Sequence, residues 1–216
     1  MKKVIQLLGF LFCSCLCGCV TTDSTLDKGA SAKSGIAYVH SYSKFSFPKL
    51  IENFQFVESH EYDRYGKDIS VGCNSPTPIA ATVYVYPAAK NFSLLPAPVL
   101  HDVSESLIDH EFGLRKLEIS KTHPDARLIS EEPFETVQGN NHFKGKKATY
   151  SMAYRFGFSS RDCLSELYIF LIEPGVMFLV NDRQYVEYRI TYPAALKDQS
   201  EKEIGLFLTQ LTWPTK

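Results

Sequence analysis

An α+β fold, one antiparallel sheet packed by a mid-chain helix and a C-terminal helix, is what this 216-residue sequence predicts. Three observations lead there. Ala148, Tyr150, Met152, Tyr154 and Phe156 alternate with Thr149, Ser151 and Arg155, the period of two that belongs to a half-buried antiparallel strand. Ile204, Phe207, Leu208 and Leu211 fall at i, i+3, i+4 and i+7, the stripe of a helix lying on a core. The elements are also grouped, short strands, a helix, long strands, a helix, and chains ordered in that way build sheets with helices against them.

The chain opens on a segment of another kind. Lys2 and Lys3 give a short positive start, Val4 to Phe12 is an almost unbroken apolar run, and Leu16-Cys17-Gly18-Cys19 closes it with small residues before a cysteine. That is the layout of a secretory signal, too short for a membrane span. Its last four residues resemble a bacterial lipobox, and the resemblance implies cleavage after residue 18 and a lipid on Cys19. Cys13, Cys15 and Cys17 would then leave with the signal, which removes the alternating thiols as a soft-metal site. Residues 19–36 are rich in Thr, Ser, Lys, Gly and Ala and bury too little to fold, so they read as a flexible tether. Residue 20 is Val and not Asp, which by the enterobacterial sorting rule points to the outer membrane, facing the periplasm.

One domain is expected over residues 37–216. Phe45, Phe47 and Pro48 lead to a strand at Phe54-Gln55-Phe56-Val57; Ile69, Val71 and Cys73 then alternate with Ser70 and Gly72, so the three should share a face. Ile79 to Tyr86, between Pro78 and Pro87, is dense in β-branched and aromatic residues and reads as a strand. Pro96-Ala97-Pro98 opens a helix, since a first turn needs no amide donor, and Leu100, Val103, Leu107 and Leu114 are its expected buried stripe.

After Pro124, Leu128-Ile129 and Phe134 to Gln138 run into Gly139-Asn140-Asn141, residues that suit a hairpin turn. Leu164 to Ile172 is close to continuously apolar and belongs in the middle of the sheet. Pro174-Gly175 and then Asn181-Asp182 bound a short strand at Val176 to Val180. In the next strand Val186, Tyr188, Ile190 and Tyr192 alternate with Glu187, Arg189 and Thr191. Ser200 and Glu203 have the spacing of a capping box for the last helix, which Trp213 and Pro214 end.

This arrangement resembles the PsbP-like fold, known from the extrinsic protein of photosystem II and from secreted bacterial proteins. The resemblance is carried by Phe47-Pro48 and the opening aromatic hairpin, the helix from Pro98, the strand end Tyr188-Arg189-Ile190-Thr191-Tyr192-Pro193, and the final helix from Ser200. It implies a binding or scaffold module and transfers no catalytic residue and no cofactor.

Lys+Arg 23 against Asp+Glu 24, with no block of like charge, argues against a nucleic-acid partner. Cys73 and Cys163 remain in the mature part, and an envelope compartment allows a disulfide between them, worth about 2–5 kcal/mol; two buried free thiols are the alternative. No G-x-S-x-G, Walker loop or HExxH is present. His101, Glu105 and Asp109, one helical turn apart, are the densest metal-capable group and the basis of an alternative reading as a metal-dependent hydrolase, against a solvated helix face. Lys144, Lys146 and Lys147 beside Gly145 read as a soluble edge that deters strand pairing, with contact to anionic lipid or another envelope component as the alternative. The expected function is a lipid-anchored, non-enzymatic envelope module that meets the membrane through Cys19 and binds another envelope protein or a small ligand.

Overall fold

Strands β1 (Ile36–Val39) and β2 (Ser46–Pro48) pair with each other as a separate two-stranded sheet. Strands β3 (Leu50–Ile51), β4 (Phe54–Glu61), β5 (Ile69–Asn74) and β6 (Ala80–Pro87) then form an antiparallel meander. Helix α1 (Ala97–Thr122) carries the chain to the far edge of the same sheet, where β7 (Arg127–Gln138), β8 (Asn141–Phe156), β9 (Ser159–Ile172) and β10 (Gln184–Pro193) form a second meander. β10 closes against β6, giving one eight-stranded antiparallel sheet in the order β3-β4-β5-β6-β10-β9-β8-β7. A 3-10 turn at Ala194–Leu196 leads into α2 (Lys197–Gln210). The computed structural model describes residues 35–88, 97–156, 159–172 and 183–213. The expected signal, Cys19 and nearly all of the tether lie outside those residues, as does the strand expected at Val176 to Val180.

The two helices cover opposite faces, and the alternation of the strands sorts side chains between them. Val186, Tyr188, Ile190 and Tyr192 of β10 join Ile204, Phe207, Leu208 and Leu211 of α2, with Trp213 behind them and Phe45 and Phe47 of the small sheet, in one core. Ala148, Tyr150 and Met152 of β8 join Leu107, Phe112 and Ile119 of α1 in the other. Because β6, β10 and β9 are covered on both sides, even polar positions there are buried: Glu187 and Glu166 are 1% and 2% exposed.

Several sequence expectations meet a physical reason to differ. The disulfide is absent: Cys73 and Cys163 are both free and buried. Cys73 belongs to the α2-side core with Ile69 and Val71, as the alternation required, whereas Cys163 belongs to the α1-side core. The strands carrying them, β5 and β9, are separated by β6 and β10, so about 14 Å of sheet intervenes even before the opposite faces are counted, and a disulfide needs Cα atoms within about 7 Å.

The capping box is also absent. α2 begins at Lys197 after Leu196, without a side-chain cap. Ser200 is fully buried, and Glu203 turns instead to the β5–β6 loop, accepting from Ser75 Oγ at 2.7 Å and Thr77 Oγ1 at 2.6 Å. The far end of α2 is closed from outside the helix by Gln138 of β7. Its Nε2 donates to the carbonyls of Leu208 (3.2 Å) and Leu211 (2.6 Å), and its Oε1 accepts from the Trp213 backbone N–H at 2.9 Å. These are carbonyls that a helix end otherwise leaves open.

The β7–β8 turn follows expectation, with Gln138 opposite Asn141 and Gly139 at φ +60°, a left-handed value that glycine adopts without strain. Gly145, by contrast, is a packing residue. A Cβ there would run into the Ile169 carbonyl and the Phe170 ring.

Candidate functional site

The inner face of α1 differs from its expected stripe, and the difference creates the surface on its outer side. Leu107, Ile108, Phe112 and Ile119 are buried, and Glu111 is buried with them. Leu114 is 47% and Leu117 58% exposed. The side chains of Leu100 and Val103 lie outside the described residues.

The polar intruders on the buried side form a network. The Tyr86 hydroxyl lies 3.0 Å from Glu187 Oε2 and 3.1 Å from Glu111 Oε1, sharing one proton between two carboxylates, and it accepts from Arg115 Nε at 3.2 Å. Arg115 also donates to Glu111 (2.8 Å) and Glu118 (2.8 Å), while Arg189 bonds Glu187 and lies 3.3 Å from Glu118. Burial first, and then Glu187, push the Tyr86 phenol far above its ordinary range, so it stays a proton donor. Burial opposes charge on Glu118, but Arg189 and Arg115 outweigh it and hold that carboxyl below its usual range. Each buried charge therefore has a partner, as the cost of burying an unpaired one demands. The network ties α1 to β6 and β10.

On the same helix, an open groove of about 610 Å³ lies between α1 and strands β7 and β8. Tyr150 and Ala126 line it beneath, Leu114 and Leu117 come from the helix, and Leu128, 51% exposed, comes from β7. Gly113 leaves the middle of the helix wall without a side chain, and nothing stands within 4 Å of where a Cβ would be. Two ion pairs cross between helix and sheet here, Asp109 to Lys146 at 2.5 Å and Lys116 to Glu131 at 2.5 Å. The result is an apolar centre with a charged rim, a composition found where proteins meet partners.

One of the expected metal-capable residues enters these contacts. Asp109 is engaged by Lys146, Glu105 is exposed, and the side chain of His101 lies outside the described residues. Among the described residues no group of three or more His, Cys, Asp or Glu side chains is placed to hold an ion. The basic cluster is split as well. Lys146 points to the α1 face, while Lys147 points to the α2 face and pairs with buried Glu166 at 2.9 Å. Glu166 also accepts from Tyr168 (2.5 Å) and Tyr192 (3.0 Å). Lys144, opposite Glu135, stays exposed, but β8 is paired on both sides by β7 and β9, so the cluster guards no free sheet edge of the kind the sequence suggested.

A third polar node joins the small sheet to the β4–β5 loop. His40 is fully buried, its Nε2 donating to the Gly66 carbonyl at 2.5 Å, so its Nδ1 is left to accept from the Ser43 hydroxyl. None of the three nodes was apparent beforehand. The one available signal was charge at strand positions, Glu166, Glu187 and Arg189, within runs otherwise dense in apolar residues.

No family model matches the chain, and no curated protein matches it.

Proposed function

We propose that this chain is a lipid-anchored lipoprotein of the bacterial envelope, built on a PsbP-like fold, whose α1/β7–β8 groove docks another envelope protein. The lipobox ending at Cys19 supports the anchor and compartment. The observation that carries the docking role is the groove itself. Leu114 and Leu117 stand in water on a helix that a buried ion network ties to the sheet, and Leu128 stands exposed beside them on β7. Its open form suits a side-on protein chain more than a small ligand, which binds in sites that bury most of its surface.

The test replaces Leu117 with a photo-crosslinking amino acid in intact envelopes and compares it with Asn140 at the β7–β8 turn. A single partner captured from position 117 and not from 140, and lost on Leu117→Glu, is the expected result. Capture that does not depend on position, or a substrate turned over equally well by the Leu117→Glu protein, counts against it.

A further inference from the structure

One buried titratable group takes no part in the groove or in its ion network. His40, fully buried just after β1, joins two segments distant in sequence, the β1–β2 turn (residues 40–45) and the β4–β5 loop (residues 62–68). A carbonyl can only accept, so the Gly66 carbonyl fixes a proton on Nε2, and the Ser43 hydroxyl gives its own proton to Nδ1. The neutral ring is thus matched on both sides. Each segment also holds its own shape. The turn closes through His40 N–H to the Phe45 carbonyl (2.8 Å) and Lys44 N–H to the His40 carbonyl (2.9 Å), and in the loop Asp63 Oδ1 accepts from the Lys67 N–H at 2.6 Å.

A second proton on the ring breaks this match. Nδ1 then becomes a donor facing Ser43 Oγ, which already accepts from the Phe45 N–H at 3.4 Å. Ser43 must turn its own proton elsewhere, and it is buried, with no second acceptor for that proton among the described residues. A buried charge and an orphaned donor both favour exposure to water. The surroundings pull in both directions. Burial is the largest influence and works against the imidazolium, the Gly66 carbonyl, Glu61 of β4 and Asp63 of the β4–β5 loop favour it, and Lys44 of the turn sides with burial. Outside the ring, Lys67 Nζ lies 4.7 Å from the centre of the Tyr42 ring, a contact between the same two segments that does not titrate with His40.

We infer that His40 is a pH-operated latch: neutral, it clamps the β4–β5 loop to the β1–β2 turn, and a second proton releases that loop while the rest of the fold holds. The turn is seated elsewhere. Phe45 and Phe47 are fully buried in the α2-side core, whereas no residue of the β4–β5 loop belongs to either core, so the loop is the part that moves. Opening returns the ring to water, where its pKa is about 6.5, and below that pH the open form takes up a proton that the closed form resists. The latch is therefore closed above that range and weakens as pH falls through the lower value of the closed form.

The experiment uses the full chain with spin labels at two exposed positions facing each other across the latch, Ser41→Cys in the turn and Tyr65→Cys in the loop. Dipolar broadening between the labels reads the gap, and the emission of Trp213, the single tryptophan and buried in the α2-side core, reports the rest of the fold. From about pH 7.5 to pH 5 the broadening should be largely and reversibly lost, with a midpoint below about 6.5, while the tryptophan emission stays in place. With His40→Gln the broadening should no longer depend on pH. Glu61→Gln keeps an acceptor for the Tyr38 hydroxyl but removes a charge that favours the imidazolium, so it should move the midpoint to lower pH, and it decides the matter if the His40 variant does not fold. Broadening that is unchanged by acid, that is lost only together with a shift of the Trp213 emission, or that is lost equally in His40→Gln overturns the inference. A midpoint unmoved by Glu61→Gln also counts against it.

Discussion

The hydroxyl of Tyr86 sits 3.0 Å from a carboxylate oxygen of Glu187, a residue 1% exposed on the neighbouring strand. Neither is on α1, yet together with Arg115 and Glu111 they decide how α1 seats. Tyr86→Phe removes the proton shared by two buried carboxylates and should cost about 1–3 kcal/mol in urea denaturation. Glu187→Ala leaves both guanidiniums short of a partner and should cost about 3–5 kcal/mol. If both fall within experimental error of the native protein, the network does not seat the helix.

His40 makes stability depend on pH. Burial is the main cause of its lowered pKa; the Gly66 bond, Glu61 and Asp63 oppose that shift, and Lys44 adds to it. The unfolded imidazole titrates near about 6.5 and the folded one lower. Below about pH 6.5 the unfolded chain thus binds more protons, so this contribution is present above that pH and is lost as pH falls towards the folded value. Urea midpoints between pH 8 and pH 5 should fall more for the native protein than for His40→Gln. Parallel pH profiles would refute it.

Glu203 acts in the carboxylate range. Burial pushes its pKa up, but hydrogen bonds from Thr77, Ser75, Gln199 and Asn53 outweigh it and lower the value. The stabilisation is present above the unfolded carboxylate pKa, about 4.3, and fades as pH falls through the lower folded one. Glu203→Gln should therefore show a shallower loss of stability between pH 5 and pH 3, read by thermal melting, and an unchanged acid limb would remove Glu203 as its source.

Gly145→Ala should destabilise by about 1–3 kcal/mol or distort β8, because the added methyl meets the Ile169 carbonyl and the Phe170 ring. Gly113→Ala, with open space around it, should be neutral or stabilising by up to about 1 kcal/mol. Equal effects at the two glycines would contradict the packing described.

Cys73 and Cys163 should both react with Ellman's reagent in denaturant and hardly at all in the native protein. Burial pushes the Cys73 thiol up to about 12 and raises Cys163 too, with Asp162 adding to the latter, so neither forms much thiolate at neutral pH. A native mass two hydrogens lower than the reduced one, with no free thiol in denaturant, would restore the disulfide.

Regular patterns were legible wherever a single rule governed them. The alternation in β8 and β10, the α2 stripe and the glycine turn after Gln138 each appear where the sequence places them. The groove was not legible. Leu114 matched a helical stripe, but the sheet presents Tyr86 and Glu187 to α1, so Glu111 and Arg115 turn inward and Leu114 and Leu117 turn out. The capping box failed for a similar reason, as Ser75 and Thr77, distant in sequence, compete for Glu203.

By itself the sequence determined what one chain segment can know of itself: the period of its regular strands and helices, the turn after Gln138, and the grouping into an α+β sheet. Tertiary structure alone decided which residues of equal local character meet. It set Cys73 and Cys163 on opposite faces, sent Lys146 and Lys147 to different carboxylates, and laid Lys67 of one loop over the Tyr42 ring of another. The reason is that pairing energies depend on distance and burial, and both arise only when strands far apart in the chain take their places in the sheet.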